Sequence, residues 1–549
     1  MVNASAIILC THLIAANGAA QTIDAARYGD GPYFYVSASG NDASAGTRDA
    51  PFATIQQAID RTADFRGRCI FLREGVQVLE DHVYIIGGWS DGRSGDELVI
   101  AAYPGENAIL DAQTTNQLPA IYAKEASHIK LFNLTIRNCT NMGIMAFDGN
   151  NIEIDSCIVE YCQAGIGLYG CTDFAVTNCT VREITANGID AAGGCARGVI
   201  QNNTVYHTNK LNTDPATRTN WGNAIQARES EFILIYGNYV YENWGEGISL
   251  LLSTNCQVVG NVIRDNFSVN LYFDNASHSR AEGNFIYCTN LSAYYRFDGH
   301  GANNIQMANE IYDVSTPERF LNYDTIINNV VVGGGSAWYY GTYGGIHSAG
   351  GISQQGLKNT VVAHNTFHGC AEMLRIDADT ATTNVAFINN IFSDVRDAHS
   401  NWIATTEGYT FSNNLWHACS PVVAADSLTG DPKFSNAGGY NADDYQLTLH
   451  STARDAGVPF FVSRDYNRKV RIEPPDIGAL EYQPSTFADA KKVGDAGRHQ
   501  NRVHYRRVLI LEDNGRLSEP VSTYDLFGRR RNGTMKRPHG FVLRELQAR

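Results

Sequence analysis

The chain has 549 residues, 44% of them hydrophobic, with 51 Gly, 14 Pro and 10% aromatics, a composition that suits short strands and tight turns rather than long helices. Its formal net charge of −15 excludes nucleic acid as a partner, because phosphate binding needs clustered Lys and Arg that the central region lacks. The same acidity repels polyanionic sugars unless a local basic patch receives them.

In chain order, residues 1–20 come first, with an apolar run from Ala6 to Ala16 followed by small residues. They read as a secretory signal peptide without the usual basic start, which predicts a secreted or cell-surface protein. Cys10 follows Leu9, where a lipoprotein signal carries a small residue. No later stretch has the 18 or so consecutive apolar residues of a membrane span.

From Ile129 to Trp416 one pattern recurs: Asn133-Leu-Thr-Ile, Ser156-Cys-Ile-Val, Asn178-Cys-Thr-Val, Asn202-Asn-Thr-Val, Gly237-Asn-Tyr-Val, and onward to Asn413-Asn-Leu-Trp. The usual interval, about 22 to 25 residues, lies in the solenoid range, and each repeat is too short to bury its own apolar face. An all-β, right-handed parallel β-helix follows as the expected fold. Asn203, Asn238, Asn261, Asn284, Asn329, Asn365, Asn390 and Asn414 share one phase. They are expected to form an inward ladder, each Asn taking the left-handed backbone of a corner while its amide bonds to the next rung.

Among 12 Cys, Cys157 and Cys179 are equivalent, as are Cys171 and Cys195. This favours stacked free thiols, with bridging between rungs as the alternative. Longer intervals place insertions at Asn209 to Trp221, around Tyr294 to Ala302, and at Ser336 to Gly356. Such insertions tend to gather on one face and build a binding site.

Phe34 to Asp60 (FYVSASGNDASAGTRDAPFATIQQAID) and Val99 to Ala112 resemble the N-terminal capping region of bacterial parallel β-helix polysaccharide lyases and glycosidases, the pectate-lyase-like superfamily. Asp431 to Phe434, Asp444 to Gly457 and Asp476 to Tyr482 (DIGALEY) resemble its closing segment. The resemblance covers residues 33–483 and implies a short helix over the open end, an extended polysaccharide partner and a monomer. Residues 484–549 carry 14 basic against 7 acidic side chains. Thr523 to Arg531 and Gly540 to Arg544 resemble the small β-rich C-terminal sorting domain of type IX secretion substrates.

Strand side chains alternate, so aligned rungs become surface columns. One reads Arg137, Glu160, Arg182, Tyr206, Tyr241, Arg264; the next reads Asn138, Tyr161, Glu183, His207, Glu242, Asp265. On another face run Met145, Gly167, Asp190, Gln226, Ser249, Tyr272 and, two residues on, Phe147, Tyr169, Ala192, Arg228, Leu251, Asp274. The candidate catalytic set is His207, Lys210, Arg228, Glu242 and Asp265, where an insertion carrying Lys210, Arg218 and Trp221 leaves the coil. Arg182, Asp190, Tyr206, Trp221, Tyr241, Trp244, Glu246, Arg264, Tyr272 and Asp274 are the expected sugar contacts, combining flat rings with polar groups.

Two chemistries fit. In β-elimination of a uronic-acid polymer, Arg228, Arg182, Arg264 or a calcium ion held by Glu242 and Asp265 neutralises the substrate carboxylate, and His207 or Lys210 removes the acidified proton. In hydrolysis, Glu242 with Asp265, or Glu183 with Glu242, supplies the two carboxyls. A non-catalytic carbohydrate-binding or adhesive solenoid is the third reading. Asn212-Thr-Asp214 and Gly299-His-Gly301 resemble polygalacturonase fragments, but the other elements of that pattern are not in their expected contexts. No cofactor is required by the sequence.

Overall fold

The computed structural model describes residues 23–113, 117–214, 220–289, 291–295, 300–310, 320–341, 355–396, 401–422, 427–482, 523–524 and 530–531. Two compact units divide at Gln483 and Pro484. In the second, Thr523–Tyr524 pairs antiparallel with Arg530–Arg531. The expected leader lies outside the described residues, as does the rest of the tail. Among the described residues no helix is long and apolar enough to cross a membrane.

The first unit is a right-handed parallel β-helix of three long sheets. Sheets 1 and 2 have 14 strands each and sheet 3 has 12. Each rung runs sheet 3, sheet 1, sheet 2, as in Met142–Phe147, Asn150–Asp155 and Ile158–Glu160. Every strand pairs in parallel with its counterpart one coil away, for example Ile158 with Thr180 and Val159 with Val181. Val159, Val181, Val205, Val240 and Ile263 form one interior column, fully buried. Stacking therefore does what no single repeat could, removing the apolar face from water.

The asparagine ladder stands at the corner between sheets 1 and 2. Asn203 donates from its backbone N (2.9 Å) and Nδ2 (3.0 Å) to Asn238 Oδ1. The same double bond recurs from Asn238 to Asn261, Asn284, Asn329, Asn365, Asn390 and Asn414. One detail differs from expectation. The left-handed backbone belongs to the preceding residue, as at Asn202 (φ 54°), Gly237 (63°), Gly260 (62°) and Gly283 (61°). The turn and the amide contact need different backbone geometry, so two adjacent residues divide the work.

A second ladder, not foreseen, lines the corner between sheets 2 and 3. Thr208 N donates to Asn243 Oδ1 (2.9 Å), Asn243 Nδ2 to Asn266 Oδ1 (2.8 Å) and Asn266 Nδ2 to Asn270 Oδ1 (2.9 Å). No disulfide joins the eleven described cysteines in this structure, and ten of them are buried.

The helix Ile55–Arg61 lies at the N-terminal end. Thr54 caps it by accepting from Gln57 N at 3.2 Å, and Ile55, Ala58 and Ile59 join the core with Val36 and Phe52. At the other end, Gly478 N donates to Asn389 O (2.8 Å) in a left-handed conformation (φ 98°), and a Cβ there would meet Ile391 Cδ1 at 2.5 Å. Only glycine fits that approach. The insertion expected at Ser336 begins instead as a sheet 3 strand, Ser336–Gly341, with Trp338 and Tyr340 in the core. Residues 342–354 lie outside the described part.

A charged rim and a polar face as the candidate active site

His207, Glu183, Glu242 and Asp265 each directly follow a sheet 2 strand and each take a left-handed turn, with φ of 53°, 55°, 54° and 50°. Parallel register sets them on successive rungs, so their side chains meet along the rim. Glu183 Oε1 lies 2.6 Å from His207 Nδ1 and Oε2 lies 2.6 Å from Lys210 Nζ. His207 Nε2 faces Glu242 Oε2 at 3.6 Å. Arg264 then donates from one nitrogen to both Glu242 Oε1 (2.7 Å) and Asp265 Oδ2 (2.8 Å). Burial would raise the Glu183 carboxyl, but the hydrogen bonds and charges of Lys210 and His207 hold it below the usual glutamate range.

Aromatic rings pack beside these charges. Tyr206 and Tyr241 stack at 4.9 Å, Arg264 sits 4.5 Å over the Tyr241 ring, and Arg182 donates to Tyr206 Oη at 3.0 Å and to Glu160 at 2.8 Å. Trp244 lies 5.5 Å from His207 and 5.1 Å from Tyr294. The insertion starts as the 3-10 turn Lys210–Asn212, and Asn209 (3.1 Å) and Asn212 (2.8 Å) both donate to Trp244 O. Its base is thereby fixed to the next rung, and Trp221 stands about half exposed beside it. Asn212 thus serves the coil, while Arg218 and Gly299 lie outside the described residues.

Two expectations are corrected. Arg264 occupies the space between Glu242 and Asp265 assigned to calcium, and Thr289 donates to both Asp265 oxygens, at 2.7 and 2.9 Å. A carboxyl pair sharing one guanidinium does not fit a metal, nor does it leave an acid and a base for hydrolysis. Among the described residues no group of three or more His, Cys, Asp or Glu could hold a metal ion. Arg228, expected beside His207, instead ends the strand Asn223–Arg228, about 16 Å beyond its start at the strand rise. There its charge acts on Asp190 and Tyr169.

Asn223–Arg228 belongs to sheet 3, whose outer face continues from the rim. Strict alternation fails at the start of these strands. A Cβ on Gly143, Gly165 or Gly188 would meet the interior Val159, Val181 or Val205 at 2.4, 2.7 and 2.9 Å, yet the following Ile144, Ile166 and Ile189 are buried as well. Two successive residues point inward, so residues three apart share the outer face. Asn187 Nδ2 accordingly donates to Asp190 Oδ2 (3.4 Å), and Asn303 Nδ2 to Gln306 Oε1 (3.0 Å).

This displacement sets Asn187, Asn223 and Glu246 in one column beside Asp190, Gln226, Ser249 and Tyr272. Asn187 and Asn223 were missed because period-two counting assigns them inward. The glycine after Asn187 was the available signal. Tyr272 donates to Glu310 at 2.5 Å, and Asp274 ends the strand Val269–Asp274. Asp190 is buried; this raises its carboxyl pKa, the Arg228 charge opposing, and its Oδ1 has no hydrogen-bond partner among the described residues.

Fold and face together define a right-handed parallel β-helix with a charged rim and a polar outer face. Residues 34–286 match the family described as Pel9A-like, right handed beta helix region. A pectate lyase, PEL9, of Emericella nidulans is 29% identical over 130 residues, which is 21% of this chain and 30% of that enzyme. The chain therefore spans less than a third of that relative's length. Among solved structures, pectate lyase Pel9A is similar over 82% of this chain and 96% of its own at 13% identity and a TM-score of 0.39. The PL6 alginate lyase AlyGC is similar over 83% and 59%, at 13% identity and a TM-score of 0.48.

Proposed function

We propose that this chain degrades an extended uronic-acid-containing polysaccharide by β-elimination, holding it along the outer face of sheet 3 and the His207 rim. The observation that carries this reading is the 2.6 Å contact of Glu183 with His207 Nδ1. A carboxylate there keeps the ring proton on Nδ1, so in the neutral imidazole Nε2 carries the lone pair. Lys210 supplies positive charge beside it for the substrate carboxylate. Nε2 takes the proton next to that carboxylate, the bond to the leaving glycosidic oxygen breaks, and a carbon–carbon double bond forms. The match to the Pel9A-like family and the similarity to a pectate lyase support a lyase over other polysaccharide-acting enzymes. Such a substrate is met outside the cell, which agrees with the leader-like residues 1–20.

Purified protein incubated with uronate polymers is expected to generate absorbance from unsaturated ends. His207→Ala should abolish it while thermal unfolding stays within about 0.5 kcal/mol of the parent, since half-exposed surface groups contribute little to the core. Persistence of unsaturated product in His207→Ala would remove His207 as the base.

A second reading rests on Asp190. A buried carboxyl of raised pKa with an unpartnered oxygen suits a general acid, and Glu246, two rungs away on the same face, suits the base of a hydrolase. Reducing ends released without unsaturation, and lost in Asp190→Asn, would select it. Binding with neither product would select the carbohydrate-binding reading.

A further inference from the structure

Six interior cysteines stand as three pairs on consecutive rungs, one pair at each corner of the coil. Cys157 and Cys179 directly precede Ile158 and Thr180, which are register partners. Cys139 and Cys162 follow by two residues the partners Arg137 and Glu160. Cys171 and Cys195 precede Thr172 and Ala196, which also bridge. All six are between 0% and 2% exposed. Within each pair the side chains lie in mutual hydrogen-bonding reach.

Each pair also heads a column that continues as a polar ladder. Cys179 N donates to Asn203 Oδ1 at 2.9 Å, the first step of the asparagine ladder. Cys171 N donates to Cys195 Sγ at 3.3 Å, as Ser230 N does to Ser253 Oγ at 3.1 Å further along. The Cys139 and Cys162 column passes through Ile184 to Thr208 and Asn243. Sulfur thus takes these corner positions on the rungs that come just before the amide and hydroxyl ladders.

We propose that Cys139–Cys162, Cys157–Cys179 and Cys171–Cys195 become inter-rung disulfides when the chain folds under oxidising conditions. Adjacent rungs are separated by roughly 4.8 Å, inside the Cα window of about 4.4 to 6.8 Å that a disulfide tolerates, and register makes both members of a pair face inward. In each step one thiolate attacks a disulfide oxidant and displaces one thiol. The partner cysteine then attacks the mixed disulfide, closing the S–S bond and releasing the second thiol. Two protons and two electrons pass to the oxidant. Burial closes the finished coil to reagents, so the bonds form as rungs stack and neither form converts readily afterwards. Cys256, whose column neighbours are Ile233 and Ser279, is expected to stay free.

The full chain is refolded with a mixture of oxidised and reduced glutathione, or with reductant alone, then denatured in excess alkylating agent and mapped by mass spectrometry without reduction. Three linked pairs, leaving six of the 12 cysteines alkylated, are expected in the first sample and none in the second. Complete alkylation in both samples, or links between other partners, would overturn the proposal. The double variant Cys171→Ser, Cys195→Ser keeps its column, which already holds Ser230 and Ser253, and should lose one link and retain two. A third link in that variant would show the assignment to be wrong.

Discussion

Asn261 shows how much one side chain carries in this coil. Its Oδ1 accepts from Asn238 N and Nδ2, and its Nδ2 donates to Ile235 O (3.0 Å) and Asn284 Oδ1 (3.0 Å). Replacing it with Ala leaves buried donors and acceptors unpaired on both neighbouring rungs, so Asn261→Ala is expected to cost roughly 2–4 kcal/mol in urea unfolding. Asp324 is the opposite case. It is fully buried, its Oδ2 has no partner among the described residues, and desolvation lifts its carboxyl well above the ordinary value of 3.8. Below that value both folded and unfolded chains hold the proton. As pH rises above it, the unfolded chain releases the proton first, so stability falls until the folded carboxyl also ionises. Asp324→Asn should therefore flatten the loss of stability between acid and neutral pH and raise neutral stability by about 1–3 kcal/mol. An unchanged slope in urea midpoints across pH would contradict this.

At the scale of one strand, the doubled inward step in sheet 3 decides what the face presents. Gly247 shows its cost to sequence freedom: a Cβ there would lie 2.4 Å from Asn270 O on the neighbouring rung and 2.9 Å from Ile263 Cγ2. Backbone cannot yield as a side-chain tip can. Gly247→Ala is predicted to destabilise by roughly 1–3 kcal/mol and to lower activity by moving Glu246 and Ser249, which stand on either side. A variant of parental stability would mean that the neighbouring strand accommodates the methyl. The rim behaves differently, because its left-handed turn residues are non-glycine and bring functional side chains outward at the strand ends. That is why Glu183, His207, Glu242 and Asp265 were legible as one column while Asn187 and Asn223 were not.

For the whole molecule, the coil from Tyr33 onward is closed at one end by Ile55–Arg61 and at the other by the segment through Leu480. The chain divides immediately after it, at Gln483. A chain ending at Gln483 is expected to unfold at the same temperature as the full chain and to retain any catalytic activity. Loss of several degrees in thermal unfolding would show that residues 484–549 contribute to the coil.

The repeat phase alone determined the parallel coil, the inward asparagines and the shared edge of the charged residues, because stacking turns sequence interval directly into spatial neighbourhood. The caps were legible from their resemblance to the ends of related coils. Tertiary structure decided the rest. Periodicity fixes which face a residue occupies but not which charge reaches which, so only the folded chain showed Arg264 seated between Glu242 and Asp265. The distance of Arg228 from His207 likewise depends on the length of a sheet 3 strand whose start the insertion conceals. The outward turn of Asn187 and Asn223 came from packing, since two successive small or apolar residues can both point inward only where the neighbouring rungs leave room for them.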